Sequence, residues 1–363
     1  MPFRCGQHRA FIYERGGQVA LGEVTPLMQV RWSRKRDDIS DAFALVAANE
    51  CCELLGSLRT ILHELHIMRN GVIVWQGPIT RLEYEFDQVS IYAEDVLWQA
   101  KRMVLLQGYD QTFPNIWNAV DRMHWLVWDN CYALDGDPWR MNGHLHPVHG
   151  STDPLTSRSI NPYQFTVWED FDRYAENSGT DYTVMNRDIY YWDTHYAWKI
   201  LPDLDDRYMS QFPRIVEYGN EAYTRAFVTD GNGHVGSYTE NDPAYNAYGN
   251  VDKLISNTDN ANIREPSAED LAQWSDTARR NVTSELPPIV DIAIPFNTTL
   301  LPGSPWSMED LFPGAWFRCT VTHVCRQHSE FQRLDNIQVS EVAPEGETVN
   351  FTADAAPTTM VLP

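Results

Sequence analysis

The segment from Leu65 to Ala93 constrains the fold of this chain more than any other. Apolar runs on either side of Asn70-Gly71 predict a β-hairpin, because this dipeptide tolerates the positive φ angles of a tight hairpin turn. An alternation of apolar and charged residues follows, which is typical of a half-buried strand in an antiparallel sheet. The side chains predicted on its covered face are Thr80, Leu82, Tyr84 and Phe86.

The remainder of the chain divides into segments that differ in their helix and strand signals. Strand signals dominate residues 1–105 and 286–363, whereas residues 166–285 mix helix and strand signals. Residues 106–165 contain one predicted helix and a long Gly/Pro-rich loop, which is typical of a functional or interface loop. A single core rarely grows beyond about 250–300 residues, so a chain of 363 residues predicts several domains. The expected class is β-rich α+β, with β units flanking a mixed α/β middle.

Local signals predict further helices and hairpins along the chain. The apolar residues from Val96 to Val104 recur at helical spacing after an acidic pair. Thr166 is suited to cap a helix that stops at Gly179. The apolar runs 182–185 and 189–192 predict a hairpin, and so do the runs 226–228 and 235–238.

Charge excludes some classes of partner. The 28 Lys and Arg residues against 50 Asp and Glu residues give a net charge of −22. This sign disfavours both binding to nucleic acid by phosphate neutralisation and docking on an anionic membrane. Residues 1–105 carry 12 basic and 13 acidic side chains, so the excess of −21 belongs to residues 106–363.

Three histidines at close spacing, His144, His146 and His149, are a candidate zinc site, since imidazole nitrogens bind this metal. They lie in the Gly/Pro-rich loop without the carboxylate of a zinc-protease motif, so solvated side chains are the favoured interpretation. A second candidate group is Cys319, His323 and Cys325, which alternate onto one face of a predicted strand. Their spacing is not that of a zinc knuckle, and small buried side chains are favoured.

Other chemistry has weaker support. The sequence contains no nucleophile elbow, phosphate-binding loop or dinucleotide fingerprint. Acidic pairs such as Glu169-Asp170 and Glu309-Asp310 could serve a glycosidase, but acids at helix starts mostly complement the helix dipole. The 13 tryptophans could bind sugars, although aromatic residues mostly fill cores and interfaces. We therefore expect no enzyme activity, no cofactor and no bound metal.

The sequence predicts neither a membrane span nor a signal peptide. No apolar run reaches the roughly 18 residues of a membrane span, and the first residues lack a signal-peptide pattern. Six cysteines in a chain of this length favour reduced thiols and folding in a cytoplasm.

Short strings in both β-rich segments share a resemblance. They are Val30–Ser40, Cys51–Gly56, His63–Leu65, Arg69–Gly71, Val74–Arg81, Leu311–Arg318, Leu334-Asp335 and Glu347–Val349. These strings resemble minor tail proteins of long-tailed actinobacteriophages and, more narrowly, their tail-tip hub, a relative of baseplate hub proteins. The motifs are structural, so the resemblance assigns no catalytic residue.

The resemblance implies a homotrimer in which each subunit holds two β-barrel-like units. Such a trimer closes the tail tube, contacts the ring of distal tail or tube protein, and carries a tip or central fibre protein. The tape measure protein and the passing genomic DNA are the other implied partners. The implied location is the virion tail tip, after synthesis in the cytoplasm of the host bacterium.

Four functions follow as hypotheses. The leading one is a non-enzymatic, trimeric tail-tip hub whose acidic wall repels DNA and so lets it slide. The related alternative is the distal tail ring, which should be hexameric. From other classes, the chain could be a tail-associated cell-wall hydrolase that uses His144, His146 and His149, or a module that binds host-surface glycans through its aromatic residues.

Overall fold

The chain folds into two compact units in a computed structural model, Met1–Pro213 with Ile294–Pro363, and Arg214–Ala293. The structure describes residues 6–48, 52–106, 119–128, 130, 144–149, 163–218, 223–229, 235–240, 246–247, 249–256, 274–275, 278, 282, 289–322 and 325–356. The division of the chain into segments 1–105, 106–165, 166–285 and 286–363 stays a prediction.

The larger unit is built on a sheet of twelve described strands. Its strands from the first part of the chain are β1 (His8–Glu14), β2 (Ala20–Val24), β3 (Leu27–Lys35), β4 (Asp41–Ala47), β5 (His63–Arg69), β6 (Val72–Tyr84) and β7 (Gln88–Glu94). The short helix α1 (Cys52–Ser57) lies between β4 and β5. The sheet is completed by β11 (Leu204–Asp205), β17 (Thr298–Thr299), β18 (Trp316–Val321), β19 (His328–Val342) and β20 (Gly346–Ala355).

Strands from the two ends of the sequence meet in the middle of this sheet. The strand order is β11-β18-β19-β3-β4-β7-β6-β5-β1-β2, with β20 and β17 branching from β19. β19 pairs antiparallel with β3, so that Trp32 lies opposite Val339. Because this pairing joins the two β-rich segments into one open sheet, the expected pair of separate barrel-like units is not observed among the described strands. The β-rich α+β class is confirmed.

The predicted hairpin at Asn70-Gly71 and a second hairpin at Gly16-Gly17 are present because their turns carry residues that tolerate positive φ angles. Asn70 and Gly71 have φ angles of 51° and 84°, and β5 pairs antiparallel with β6 across this turn. β1 pairs with β2 around Gly16-Gly17, both of which have positive φ. β6 is longer than expected, and only its first half, up to Pro78, pairs with β5, while the second half pairs with β7.

A helical layer covers a smaller sheet in the same unit. It consists of α2 (Trp98–Arg102), α3 (Ala119–Val127) and α4 (Val167–Ser178), and the sheet has the order β8 (His144–His149), β10 (Asp188–Asp193), β9 (Thr180–Met185). Thr166 caps α4 in a reciprocal capping box with Glu169, and Gly179 ends the helix in the left-handed conformation. Phe171 of α4 packs edge-on against Tyr182 of β9, with ring centroids 5.0 Å apart. This contact lies in the core between the helices and the sheet.

Two expectations for this layer need correction. α2 has five residues, shorter than the predicted segment from Val96 to Val104. The stretch His144–His149 is a strand rather than a loop, because it pairs in parallel with the apolar strand β10. Pro147 is tolerated there because β8 is an edge strand among the described strands, and proline in a sheet is confined to such positions.

The smaller unit, Arg214–Ala293, contains two described sheets. β12 (Arg214–Tyr218) pairs with β16 (Ile289–Ala293), and β13 (Arg225–Thr229) lies between β14 (Val235–Glu240) and β15 (Asp252–Ser256). The predicted hairpin of β13 and β14 is confirmed. Ala226, Val228, Trp274 and Ala278 form its buried core. Within the described residues of the whole chain, no helix is long and apolar enough to cross a membrane.

Candidate functional site

The candidate zinc histidines lie on β8. Backbone pairing places His144, His146 and His149 opposite Asp188, Tyr190 and Trp192 of β10. Nε2 of His146 lies 3.0 Å from Oδ1 of Asp188, and its ring stacks on Tyr190 at a centroid distance of 4.7 Å. The side chain of His146 is therefore held by two residues of β10, through a contact with the carboxylate of Asp188 and through stacking on the ring of Tyr190.

The candidate cysteine group is only partly described. Cys319 of β18 is fully buried, and burial raises the pKa of its thiol to about 12, which disfavours the thiolate that binds metals. Cys325 is exposed, and His323 lies outside the described residues. Among the residues that the structure describes, no group of three His, Cys, Asp or Glu side chains is placed to hold a metal ion.

A cluster of charged side chains, which the sequence did not predict, joins the segments of the larger unit. This Arg36 cluster consists of Arg36, Asp37, Asp181, Arg333, Asp335 and Asp354. Arg36 follows β3, and its guanidinium lies 3.2 Å from Asp181 of β9 and 3.0 Å from Asp335 of β19. Arg333 of β19 contacts the other carboxylate oxygen of Asp181 at 2.6 Å. The cluster thus ties β3, β9 and β19 together.

Electrostatics within the Arg36 cluster reflect its burial and its excess of carboxylates. Burial and the neighbouring charge of Asp181 raise the pKa of Asp37 to about 7, against the opposing effect of Arg36. The backbone N–H of Tyr182 donates to Oδ1 of Asp37 at 2.9 Å. A cleft of about 350 Å³ opens beside the cluster, lined by Asp172, Thr194 and several of its members.

In addition to the Arg36 cluster, a buried ion pair joins β5 to β20. The guanidinium of Arg69 donates to both carboxylate oxygens of Glu347, at 2.6 and 2.8 Å. Beside it, Nδ1 of His8 lies 2.7 Å from Glu341, and Nε1 of Trp32 donates to Nε2 of His8 at 3.2 Å. Burial lowers the pKa of His8, although both glutamates oppose this effect. A neutral imidazole that donates through Nδ1 and accepts through Nε2 accounts for these contacts.

Another buried ion pair, between Glu64 and Arg187, joins β5 to the hairpin of β9 and β10. Glu64 is fully buried and binds both terminal nitrogens of Arg187, while the N–H of Gly16 donates to it at 2.8 Å. Burial alone would raise the pKa of Glu64, but His66 and Arg187 outweigh burial and lower it to about 2. His66 stacks on Tyr13 with ring centroids 3.8 Å apart.

Several members of these pairs lie in the strings on which the resemblance rests. Arg36, Glu64, Arg69, Asp335 and Glu347 each belong to one of those strings, and each is joined to a partner that is remote in the sequence. The signal in the sequence that could have indicated these buried pairs was the presence of charged residues within otherwise apolar strands. Their partners could not be assigned without the fold.

Comparisons with known proteins give a likeness of structure alone. No family model matches the chain, and no curated protein matches it. The 43 kDa tail protein of prophage MuSo2 from Shewanella oneidensis is 10% identical, with a TM-score of 0.58 over 98% of this chain and 99% of that one. The tail protein from Neisseria meningitidis MC58 is 10% identical, with a TM-score of 0.59 over the same shares.

The prophage tail protein gp18 from Listeria monocytogenes EGD-e is 9% identical, with a TM-score of 0.58 over 96% of this chain and 95% of that one. The chain has the fold of phage tail proteins. A chain of the lidded Francisella PdpA-VgrG complex is 7% identical, with a TM-score of 0.53 over 99% of this chain and 54% of that one. The expected likeness to tail proteins is therefore confirmed at the level of the fold.

Proposed function

We propose that this chain is a structural protein of a phage tail, and specifically the trimeric hub at the tail tip of a long-tailed phage of actinobacteria. The observation that carries the proposal is the likeness to two tail proteins over 98% of this chain and 99% of the compared chains. Because the likeness extends over nearly the whole chain, the proposal concerns the entire chain rather than one domain.

The charged residues of the larger unit support a structural role. Arg36, Glu64 and Arg69 connect strands that are far apart in the sequence, so their side chains are engaged in holding the fold. His146 pairs with Asp188, and Cys319 is buried. We propose that the chain has no enzyme activity and uses no metal or cofactor.

The proposed partners are those of a tube-closing hub. Two further copies of the chain complete the trimer, and the distal tail or tube ring, a tip or central fibre protein and the tape measure protein bind to it. The protein is made in the host cytoplasm and resides at the tail tip of the virion. The chain compared from the PdpA-VgrG complex supports a role in an assembly, since that chain is part of a complex.

The acidity of the chain fits a conduit for DNA. Residues 106–363 carry a net charge of −21, and like charges repel a polyanion that must pass without being retained. We propose that part of this charge lines the channel of the trimer, which meets DNA without specific binding. A channel wall with net positive charge would overturn this part of the proposal.

Imaging of assembled tails tests the function. Three copies in a ring at the tail tip are expected. A ring of six copies would instead identify the distal tail ring, and absence from purified tails would overturn the tail assignment. Peptidoglycan cleavage that is lost in His146→Ala would overturn the non-enzymatic role in favour of the hydrolase.

A further inference from the structure

The turn between β6 and β7 presents a fully exposed aromatic side chain. Phe86 is 103% exposed, and it lies between the exposed carboxylates of Glu85 and Asp87. The turn is fixed by its backbone, because the N–H of Glu85 donates to the carbonyl of Gln88 at 2.9 Å and the N–H of Ala48 donates to the carbonyl of Asp87 at 2.8 Å. We name Glu85, Phe86 and Asp87 the acidic tip. The backbone of the acidic tip is held by hydrogen bonds, while the ring of Phe86 does not pack against its own subunit.

A surface of opposite charge lies at α2 and the segment that follows. Lys101 and Arg102 are exposed at the end of the helix, and Val104, Leu106 and Tyr163 are 44%, 51% and 73% exposed. These five residues form the basic patch. The backbone beneath it is fixed, because the N–H of Tyr163 donates to Leu105 at 2.8 Å and the N–H of Leu105 donates to Phe165 at 3.0 Å.

Two carboxylates adjoin the patch, and one of them, Glu169, is engaged elsewhere. Burial is the largest effect on Glu94 and raises its pKa, whereas the neighbouring charge of Lys101 lowers it. Glu169 accepts hydrogen bonds from the backbone and hydroxyl groups of Thr166 in the capping box. The guanidinium of Arg102 lies 5.6 Å from the ring of Trp98, so an aromatic surface continues under the positive charge.

The tip and the patch lie at opposite ends of β7. The acidic tip immediately precedes Gln88, and α2 begins after Glu94. Seven residues of strand span about 20 Å, so a copy is unable to place its own tip on its own patch. A tip facing the tip of a second copy would bring like charges together, whereas a tip facing a patch brings opposite charges together.

We infer that the acidic tip of one copy docks on the basic patch of the next copy. Phe86 is buried among Val104, Leu106 and Tyr163, while Glu85 and Asp87 face Lys101 and Arg102. Such a contact is heterologous, since it joins two different surfaces, and it generates a closed ring when the rotation between copies closes. This inference rests on the proposed trimeric function and identifies the surfaces that form it.

Sedimentation velocity of the full-length chain over a concentration series tests the contact. We expect the wild-type chain to associate, and we expect its dissociation constant to rise about tenfold or more in Phe86→Ser, because buried aromatic anchors dominate interface energy. Two charge reversals, Glu85→Lys with Asp87→Lys and Lys101→Glu with Arg102→Glu, should weaken association similarly. Combining all four changes should restore it, because the charges again face opposite charges.

The chain offers matched controls. Phe296 is 72% exposed and belongs to neither the tip nor the patch, so Phe296→Ser removes an exposed aromatic side chain that the proposed contact does not use. Glu345 is exposed in the turn between β19 and β20, so Glu345→Lys changes the same charge elsewhere. Both controls should leave the dissociation constant unchanged. Circular dichroism melts separate failed association from failed folding, since all these side chains are on the surface.

A mixing experiment distinguishes a heterologous contact from other arrangements. The tip variant Phe86→Ser keeps an intact patch, and the patch variant Lys101→Glu with Arg102→Glu keeps an intact tip. At a concentration above the wild-type dissociation constant and below that of each variant, we expect their mixture to form a 1:1 dimer and no larger species, whereas each variant alone is mainly monomeric.

Unchanged association of all tip and patch variants would overturn the interface, and so would a wild-type chain that remains monomeric at the highest concentration reached. The symmetry of assembled tails reports on the hub separately. Tails with three copies but tip-independent association would refute this interface and leave the hub standing, whereas six copies would refute the hub itself.

Discussion

Arg69 and Glu347 form a bidentate ion pair across 278 residues of sequence. Both side chains are buried, and the pair joins β5 to β20, the last strand of the main sheet. A buried pair of this kind contributes little relative to an apolar replacement, but removal of one partner leaves an uncompensated charge in the protein interior.

Single and double substitutions should therefore have very different effects. Arg69→Met should lower the free energy of unfolding by about 3–5 kcal/mol, whereas Arg69→Met combined with Glu347→Leu should recover at least half of that loss. Urea denaturation of the three proteins measures both values. Arg9→Met breaks an exposed pair with Glu23 and should leave the midpoint nearly unchanged. Equal losses in the single and double variants would contradict the role assigned to the buried charge.

Both the backbone conformation at Gly314 and the close approach of Trp192 require glycine at this position. Its φ angle is +86°, and a Cβ atom at this position would lie 2.1 Å from Cζ2 of Trp192. Gly16 has a similar φ of +90° but nothing within 4 Å of its Cβ position. Gly314→Ala should therefore be less stable than Gly16→Ala by about 1–3 kcal/mol, the usual cost of overpacking a core. Thermal unfolding compares the two variants, and similar losses would show that backbone strain alone accounts for Gly314.

Asp95 predicts a dependence of stability on pH. Burial raises its pKa to about 7, although it accepts the N–H groups of Ser40 and Leu97 at 2.6 and 2.9 Å. The folded chain thus keeps this proton to higher pH than the unfolded chain does. The free energy of unfolding should fall as pH rises from about 4 to 7, by at most about 4 kcal/mol from this group.

Urea denaturation at several pH values checks this dependence. The slope between pH 4 and 7 should become shallower in Asp95→Asn, while Asp37, whose pKa is also raised to about 7, continues to contribute in the variant. Glu64 has a pKa lowered to about 2, so its stabilising effect is lost at lower pH than this window. Replacement of the exposed Asp203 by Asn serves as the control. An unchanged slope in Asp95→Asn would exclude Asp95 as its source.

His146 should be dispensable for folding and should not depend on a metal. Its pair with Asp188 is partly exposed, and such pairs contribute less than about 1 kcal/mol. We expect His146→Ala to melt close to the wild-type temperature, and EDTA to leave both melts unchanged. A zinc-dependent rise in the melting temperature that disappears in His146→Ala would favour the metal site instead.

Local patterns predicted the elements whose hydrogen bonds are local. The turn at Asn70-Gly71 and the capping of α4 by Thr166 depend on residues a few positions apart, and both are present. The pairing of β3 with β19 joins residues some 300 positions apart. No periodicity specifies such a partner, so the union of the two β segments in one sheet and the partners of Arg36 were not predictable.

The predicted burial of Tyr84 and Phe86 was wrong for a related reason. Alternation correctly indicates that alternate side chains share a face of a strand, but it does not show whether another element covers that face. β5 accompanies β6 only to Pro78, and Tyr84 and Phe86 lie beyond it with exposures of 54% and 103%. The exposure of Phe86 is the observation from which the docking contact was inferred.

The position of β3 between β4 and β19 also has a consequence for synthesis. At translation rates of about 5–20 residues per second, the ribosome needs roughly 15–60 s to produce β19 after β3. During that interval the edge of the nascent strand that carries Val30 and Trp32 has no partner, and unpaired strand edges are prone to aggregate. A stalled or truncated chain that lacks residues 328–342 would thus expose the centre of its own sheet, which makes completion of translation a condition for solubility.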